Sequence, residues 1–331
     1  ASAWYLQIAS GRRDVGLIPE AIEGIRRIVE QGVFDEDALL NRYIAVEEFS
    51  TMGAELDSFI HYYQGLHNLR QGEQRWAMRR FKQIHQNSPY RQKARYIMAV
   101  RKVALNQLES AQKLFKDLSK SLNPDSKTPL YRELWRDSKT SLARLSMQQG
   151  DAASALRYFE EVRERVPDDP SLLLEIAWAN FQKGSPRRAL GFLLALDAPI
   201  YNTLIAPERF ILEAMTYRSL CQFGPARQAA VRLNDRYKQA LADLYDGVIP
   251  EQSEALRNAA GQRGDLLSIS KFINRLNYEV EIIKNKKSSF GPEFTLELLN
   301  IYAQGQASAT ARRERTLRTE IKTLTEELLS A

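Results

Sequence analysis

Small and apolar residues recur at a fixed interval along the chain. Between residues 58 and 125, Gly65 is answered by Ala99, Gly72 by Asn106, Ala77 by Ala111 and Phe81 by Phe115, each pair 34 residues apart. A second set keeps the same spacing downstream: Ala143 with Ala177, Gly150 with Gly184 and Ala155 with Ala189. Small residues recurring in one phase at this period predict stacked helical hairpins, in which each hairpin buries a face against the next.

The unit 58–91 shows what the positions do. Its first helix is predicted from about Asp57 to Gln71, where Gly72 breaks it. The second runs from about Gln74 to Gln86, and Pro89 prevents continuation. Gly65 and Ala77 are small where the two helices cross, and a larger side chain there forces them apart at about 1–3 kcal/mol. Phe81 and Ile84 point toward the next unit. In the following unit Asn106, another residue that tolerates left-handed backbone, stands at the turn.

The phase Gly65, Gly72, Ala77, Phe81, Pro89 resembles the tetratricopeptide repeat family. It continues with Leu142, Ala143, Gly150, Ala155, Phe159 and Pro167, then with Ile176, Ala177, Gly184, Ala189 and Leu193. A fifth unit keeps Gly224, Ala229 and Leu233 but carries Tyr217 where a small residue is expected. The resemblance implies an all-α, right-handed helical-repeat solenoid with repeats at 58–91, 92–125, 136–169, 170–203 and 210–243, to which the apolar seams of the last residues add a C-terminal helical hairpin. It also implies that the first helix of each pair lines a concave side. The inward residues are then Phe59, Tyr62 and Leu66, Lys93, Tyr96 and Val100, Thr140 and Arg144, Leu174, Trp178 and Phe181, and Arg218. Aromatic and aliphatic types dominate this set, and Tyr62, Tyr96 and Trp178 are of the kind that anchor interfaces. The family's carboxylate clamp, which grips the acidic tails of heat-shock chaperones, has no counterpart, because Tyr62 and Leu66 replace its first Lys and Asn.

The ends and the insertions break the pattern. Residues 1–57 are expected to cap the first repeat. They comprise a short apolar stretch at 3–9, a helix over 17–31 with Ile18, Ala21, Ile22, Ile25, Ile28 and Val29 on one face, and a second helix starting at Asp35. Ten extra residues separate the second and third repeats and are assigned to the loop SLNPDSKTPLY. Six more separate Gly184 from Gly224, in a stretch containing Ile200, Tyr201, Leu204 and Ile205. This stretch either tucks onto neighbouring helices or contacts a partner. Residues 244–331 form the C-terminal helices. Leu266, Ile269, Ile273, Leu276, Val280 and Ile283 alternate in steps of three and four, a coiled-coil-like seam. Leu317, Ile321, Leu324 and Leu328 resume a seam after the polar stretch QGQASATARRER, which is expected to face solvent or another chain.

Composition narrows the function classes. The 331 residues are 44% hydrophobic and 27% charged, as in a folded globular chain, with a net charge of +6. No apolar run reaches membrane-spanning length. Cys221 is the only cysteine and is expected to be buried in a helix. His61, His67 and His85 lack the spacing of a helical metal site. Phosphate-binding and nucleophile-elbow motifs are absent. No catalytic residue, cofactor or metal is therefore expected. The start Ala1-Ser2-Ala3 suits the neighbourhood of a processing site, and equally a trimmed chain.

These readings converge on a non-enzymatic protein–protein scaffold or adaptor. Its apolar groove receives an amphipathic helix or extended peptide of a partner, or is filled by the protein's own terminal helices. Self-association through the C-terminal helices is a further expectation. The alternative is nucleic-acid association through Lys284, Lys286, Lys287, Arg312, Arg313, Arg315 and Arg318, which interspersed Glu279, Glu281, Glu314 and Glu320 dilute.

Overall fold

The computed structural model describes residues 5, 8–9, 15–30, 44–45, 47–167, 169–201, 206–286, 289 and 291–330. Most of the expected 3–9 segment and of the helix from Asp35, together with Leu204, Ile205 and Lys287, lies outside the described residues. The fold is all-α, with no strand among the described residues. The helices are α1 (Ile18–Glu30), α2 (Ala54–Arg70), α3 (Gln74–Gln83), α4 (Pro89–Ala104), α5 (Leu108–Ser121), α6 (Pro129–Gln148) and α7 (Ala152–Arg163). They continue with α8 (Pro170–Gln182), α9 (Pro186–Ala195), α10 (Glu208–Ser219), α11 (Phe223–Tyr245), α12 (Glu254–Ala260), α13 (Gly264–Asn285) and α14 (Pro292–Ser330). Five of them open with proline, whose fixed φ suits the first helical position. The chain divides into two compact units, one of residues 1–95 and 267–315, the other of residues 96–266 and 316–331.

In the first unit α1 packs on α2 and buries Ala21, Ile22, Ile25 and Val29. The Tyr90 hydroxyl donates to Glu30 at 2.9 Å. Phe59, Tyr62, Tyr63 and Tyr90 form one ring cluster with centroids 5.0–6.3 Å apart. Gly65 faces Phe81 so closely that a Cβ would lie 2.4 Å from the ring, which explains why this crossing is a glycine. The C-terminal helical hairpin is antiparallel. The Tyr302 hydroxyl donates to Glu279 at 2.7 Å, Gln306 to Asn277 at 2.7 Å, and Arg313 to Ser270 at 3.2 Å. The polar stretch expected to face solvent is thus docked on α13. Its Ala309 is fully buried, and Gly305 leaves room for Leu276.

The second unit is a helical-repeat solenoid in which each helix packs mainly on its sequence neighbours from α5 to α12. Ala99, Ala143 and Ala177 are fully buried, as are Ala111, Ala155 and Ala189 on the facing helices. The same turn closes each of the five repeat hairpins. Gly72, Asn106, Gly150, Gly184 and Cys221 each hold positive φ, between 56° and 79°. In each, the following N–H reaches back to a carbonyl five residues earlier, from Glu73 to Asn68 and likewise through to Gln222 and Tyr217.

The fifth turn corrects the sequence reading twice. Cys221, not Gly224, takes the left-handed position, and it is exposed rather than buried in a helix. Gly224 sits inside the first turn of α11. Counted back from Cys221, the small residue of the first helix is Ala214, so the apparent departure at Tyr217 disappears. The buried Ala229 falls three residues later than its counterparts, and Ala226, which holds their position five residues after the turn, is half-buried. The ten-residue insertion is corrected as well. Only residues 122–128 form a loop, and the rest lengthens α6, which has 20 residues against 13 in α8.

The last hairpin is covered by the chain's own C-terminal part. Phe210, Tyr237 and Ala240 bury against Leu256, Ala260, Leu266, Leu317, Ile321, Leu324 and Leu328. Arg263 ties this assembly together through Glu320 at 3.1 Å and Glu327 at 2.7 Å.

Candidate functional site

The expected groove residues separate into interior and accessible groups. Phe59 and Tyr62 are buried in the aromatic cluster, with Lys93 5.6 Å from both the Tyr62 and Tyr90 rings. Leu174 is buried, and Trp178 and Phe181 are half-buried against the same apolar cluster, their rings 6.2 Å apart. Leu66 is half-buried, whereas Val100 and Arg218 are exposed. Phe59, Tyr62 and Leu174 of the expected groove set are thus core residues, whereas Leu66, Trp178, Phe181 and Val100 keep part of their surface accessible.

An open cleft of about 310 Å³ remains on the first helices of the second, third and fourth hairpins. Tyr96 of α4, Arg136, Thr140, Ser141 and Arg144 of α6, and Glu175 of α8 line it, with the start of α8 at its edge. Tyr96, Thr140 and Arg144 of the expected set are brought together here. Arg144 grips Glu175 with two hydrogen bonds of 2.6 and 2.8 Å across adjacent hairpins, and this pairing raises the guanidinium pKa further. Burial pushes the Tyr96 phenol up, and its ring packs on Phe115 at 5.6 Å. Asp169 caps α8 by accepting from the Ser171 and Leu172 N–H groups at 2.9 and 3.3 Å. Arg136 bonds the neighbouring Asp137 at 3.1 Å.

Sequence reasoning missed Arg136, Asp137, Ser141, Ser171 and Glu175. The signal was present. Asp137 and Ser171 hold the position of Phe59 and Lys93 relative to their turn residues, and Ser141 and Glu175 lie one residue after the Thr140 and Leu174 position.

Residues 146–203 match the family model of the tetratricopeptide repeat, a stretch that covers α7, α8 and α9. This stretch belongs to the tetratricopeptide repeat family. Such repeats generally mediate protein–protein interaction. A comparison with curated proteins gave no match.

The cleft lies on the first helices of three consecutive repeats and offers donors and acceptors side by side, without a histidine or a thiol. Among the described residues no group of three or more His, Cys, Asp or Glu side chains could hold a metal ion, and no helix is long and apolar enough to cross a membrane. At the fifth repeat, the C-terminal end of α14 lies close by. Partial desolvation and the Glu327 charge push the Glu208 carboxyl above its usual range. In the basic C-terminal segment, Lys284 pairs with Glu281 at 2.8 Å and Arg313 with Glu314 at 3.4 Å.

Proposed function

We propose that the protein is a non-enzymatic scaffold whose repeats hold an extended segment of a partner protein in the Tyr96–Glu175 cleft, and so help assemble a multiprotein complex. The carrying observation is the lining of that cleft: a hydroxyl-rich, mixed-charge surface shared by three repeat helices. An amphipathic helix needs a long apolar trough, and Phe59, Tyr62 and Leu174, which would have belonged to one, are packed inside. An extended segment presents backbone N–H and C=O groups alternately, which suits neighbouring Arg, Glu, Ser and Thr side chains.

The double substitution Ser141→Arg, Arg144→Glu tests this reading. It fills the cleft and reverses one of its charges, and both positions lie outside the fully buried core. Tagged wild-type and substituted chains are compared by affinity capture with quantitative mass spectrometry, with circular dichroism as the folding control. A stoichiometric partner retained by the wild type and lost by the folded variant is expected. Equal recovery on both chains, or no stoichiometric partner on either, overturns the assignment.

A further inference from the structure

A second depression of about 260 Å³ lies beside the cleft at the edge of the third repeat. It exists because of the insertion. Pro124 comes from the loop 122–128, Pro129 and Arg132 come from the extra first turns of α6, and Arg136 opens the repeat that follows them. Arg165 and Val166, just beyond α7, close the other side. Its floor is apolar: Trp135 and Val162 are buried, and Pro124 and Val166 half-buried. Three guanidinium groups line it against one carboxylate, Glu133.

The counter-ions of these arginines are weakly held. Arg136 meets Asp137 at 3.1 Å and Arg165 meets Asp125 at 3.5 Å, and the two carboxylates are 39% and 74% exposed. Pairs of this kind contribute about 0–1 kcal/mol, so an incoming carboxylate exchanges with them at little cost. Arg165 also lies 4.8 Å from the Trp135 ring, where it stays charged while covering an aromatic face. The positive end of the α6 dipole opens at Pro129, and the helix has no side-chain cap to neutralise it. Arg132 donates to the Ser126 and Lys127 carbonyls at 2.6 and 3.3 Å, which fixes the loop that forms one wall.

We infer that this socket binds an acidic peptide motif, an aliphatic or aromatic side chain on the Trp135 floor with an adjacent carboxylate on the arginines. The motif is a second contact for a protein partner. It shares only Arg136 and Val162 with the cleft and does not depend on the cleft being occupied.

The probe is a fluorescein-labelled octapeptide pool, Ser-Gly-Xaa-Leu-Glu-Xaa-Gly-Ser, with control pools carrying Lys for Glu or Ser for Leu. Fluorescence anisotropy on the full chain should show saturable binding of the first pool only, weakening as salt rises. Arg132→Glu with Arg165→Glu should reduce affinity by at least about tenfold. Ser141→Arg with Arg144→Glu should leave it within about twofold, which separates the socket from the cleft. The charge-reversed chain should in turn bind the Lys-bearing pool, a rescue that a misfolded protein cannot give. Binding of the Glu pool no tighter than the Lys pool, insensitivity to the arginine reversals, or absence of the rescue overturns the inference.

Discussion

Ile176 and Glu213 occupy the same register in adjacent repeats. Each stands eight residues before its left-handed turn residue, Gly184 or Cys221, and each is buried, at 0% and 1% exposure. In the fourth repeat the position is filled by hydrocarbon, with Ile176 among Phe159, Val162, Leu172 and Ala179. In the fifth it holds a carboxylate, which Arg232 of α11 neutralises. Arg232 also reaches Asp197 at 3.5 Å. Arg209 bonds the same Asp197 and donates to the Leu196 carbonyl at 3.0 Å, with both guanidinium groups within 6 Å of the Phe210 ring. One backbone geometry therefore carries two chemistries. The turn and the helix crossing set the register, and the buried position accepts either hydrocarbon or a carboxylate paired through one oxygen with Arg232.

The strongest way to break the comparison is at the crossing itself. Ala177 is fully enclosed by Leu173, Leu174, Leu193, Leu196 and Leu212, whereas its counterpart Ala214 is only half-buried. Ala177→Arg drives a charged side chain into a dry crossing and should cost about 4 kcal/mol or prevent folding. Ala214→Arg has an outlet to solvent and should cost about 1–2 kcal/mol. Urea unfolding followed by circular dichroism measures both. Equal losses would mean that the two crossings are packed alike.

A smaller effect separates the two chemistries. Removing one member of the ion pair by Arg232→Met strands the Glu213 carboxylate and should cost about 2 kcal/mol, less than for a fully buried pair because Arg232 is 41% exposed. The double substitution Glu213→Leu, Arg232→Met gives the fifth repeat the chemistry of the fourth and should return stability to within about 1 kcal/mol of wild type. Burial raises the Glu213 pKa, against the opposing pull of Arg232. A carboxylate raised on folding binds its proton more tightly in the folded state. Its contribution is therefore most favourable below the unfolded pKa and is lost as pH rises through the folded value. Relative to Glu213→Gln, the wild type should gain stability as pH falls from about 7 toward about 4.5. A flat difference across that range would show that Arg232 compensates burial fully.

How much of this was legible in the sequence follows from the same physics. The period, the enclosed alanines and four of the five turns were readable, because glycine and alanine mark places where only a small side chain or a left-handed backbone fits. Cys221 was not readable as a turn, since glycine is the usual occupant and Gly224 stood three residues away. The insertion was assigned wholly to a loop because Ser, Asn, Asp and Pro favour turns, yet Pro129 is also a good first residue for a helix, and α6 starts there. That three of the expected groove residues are core was hidden for a related reason. Helical spacing identifies a face, but Phe59, Tyr62 and Leu174 lie near its border, and packing within the hairpins turned them inward. The polar cleft was accessible to the same offset counting.

The finest test concerns the turns, where the two repeats differ by one side chain. Gly184 holds φ at 76° with nothing within 4 Å of a would-be Cβ, so Gly184→Ala meets backbone strain without a clash and should cost about 1 kcal/mol. Cys221 holds φ at 60° with its side chain already present. Cys221→Gly relieves that strain but loosens the unfolded chain, so a net gain of about 0.5 kcal/mol is expected. Gly224 decides the register, because it lies in helical backbone in the first turn of α11 with open space around its Cβ position. Gly224→Ala should then leave stability within about 0.5 kcal/mol of wild type, the restricted unfolded chain offsetting the crowding of the new Cβ by the Pro225 ring. A loss of about 1 kcal/mol instead would place the left-handed turn at Gly224, and the fifth repeat would revert to the register in which Tyr217 faces the crossing.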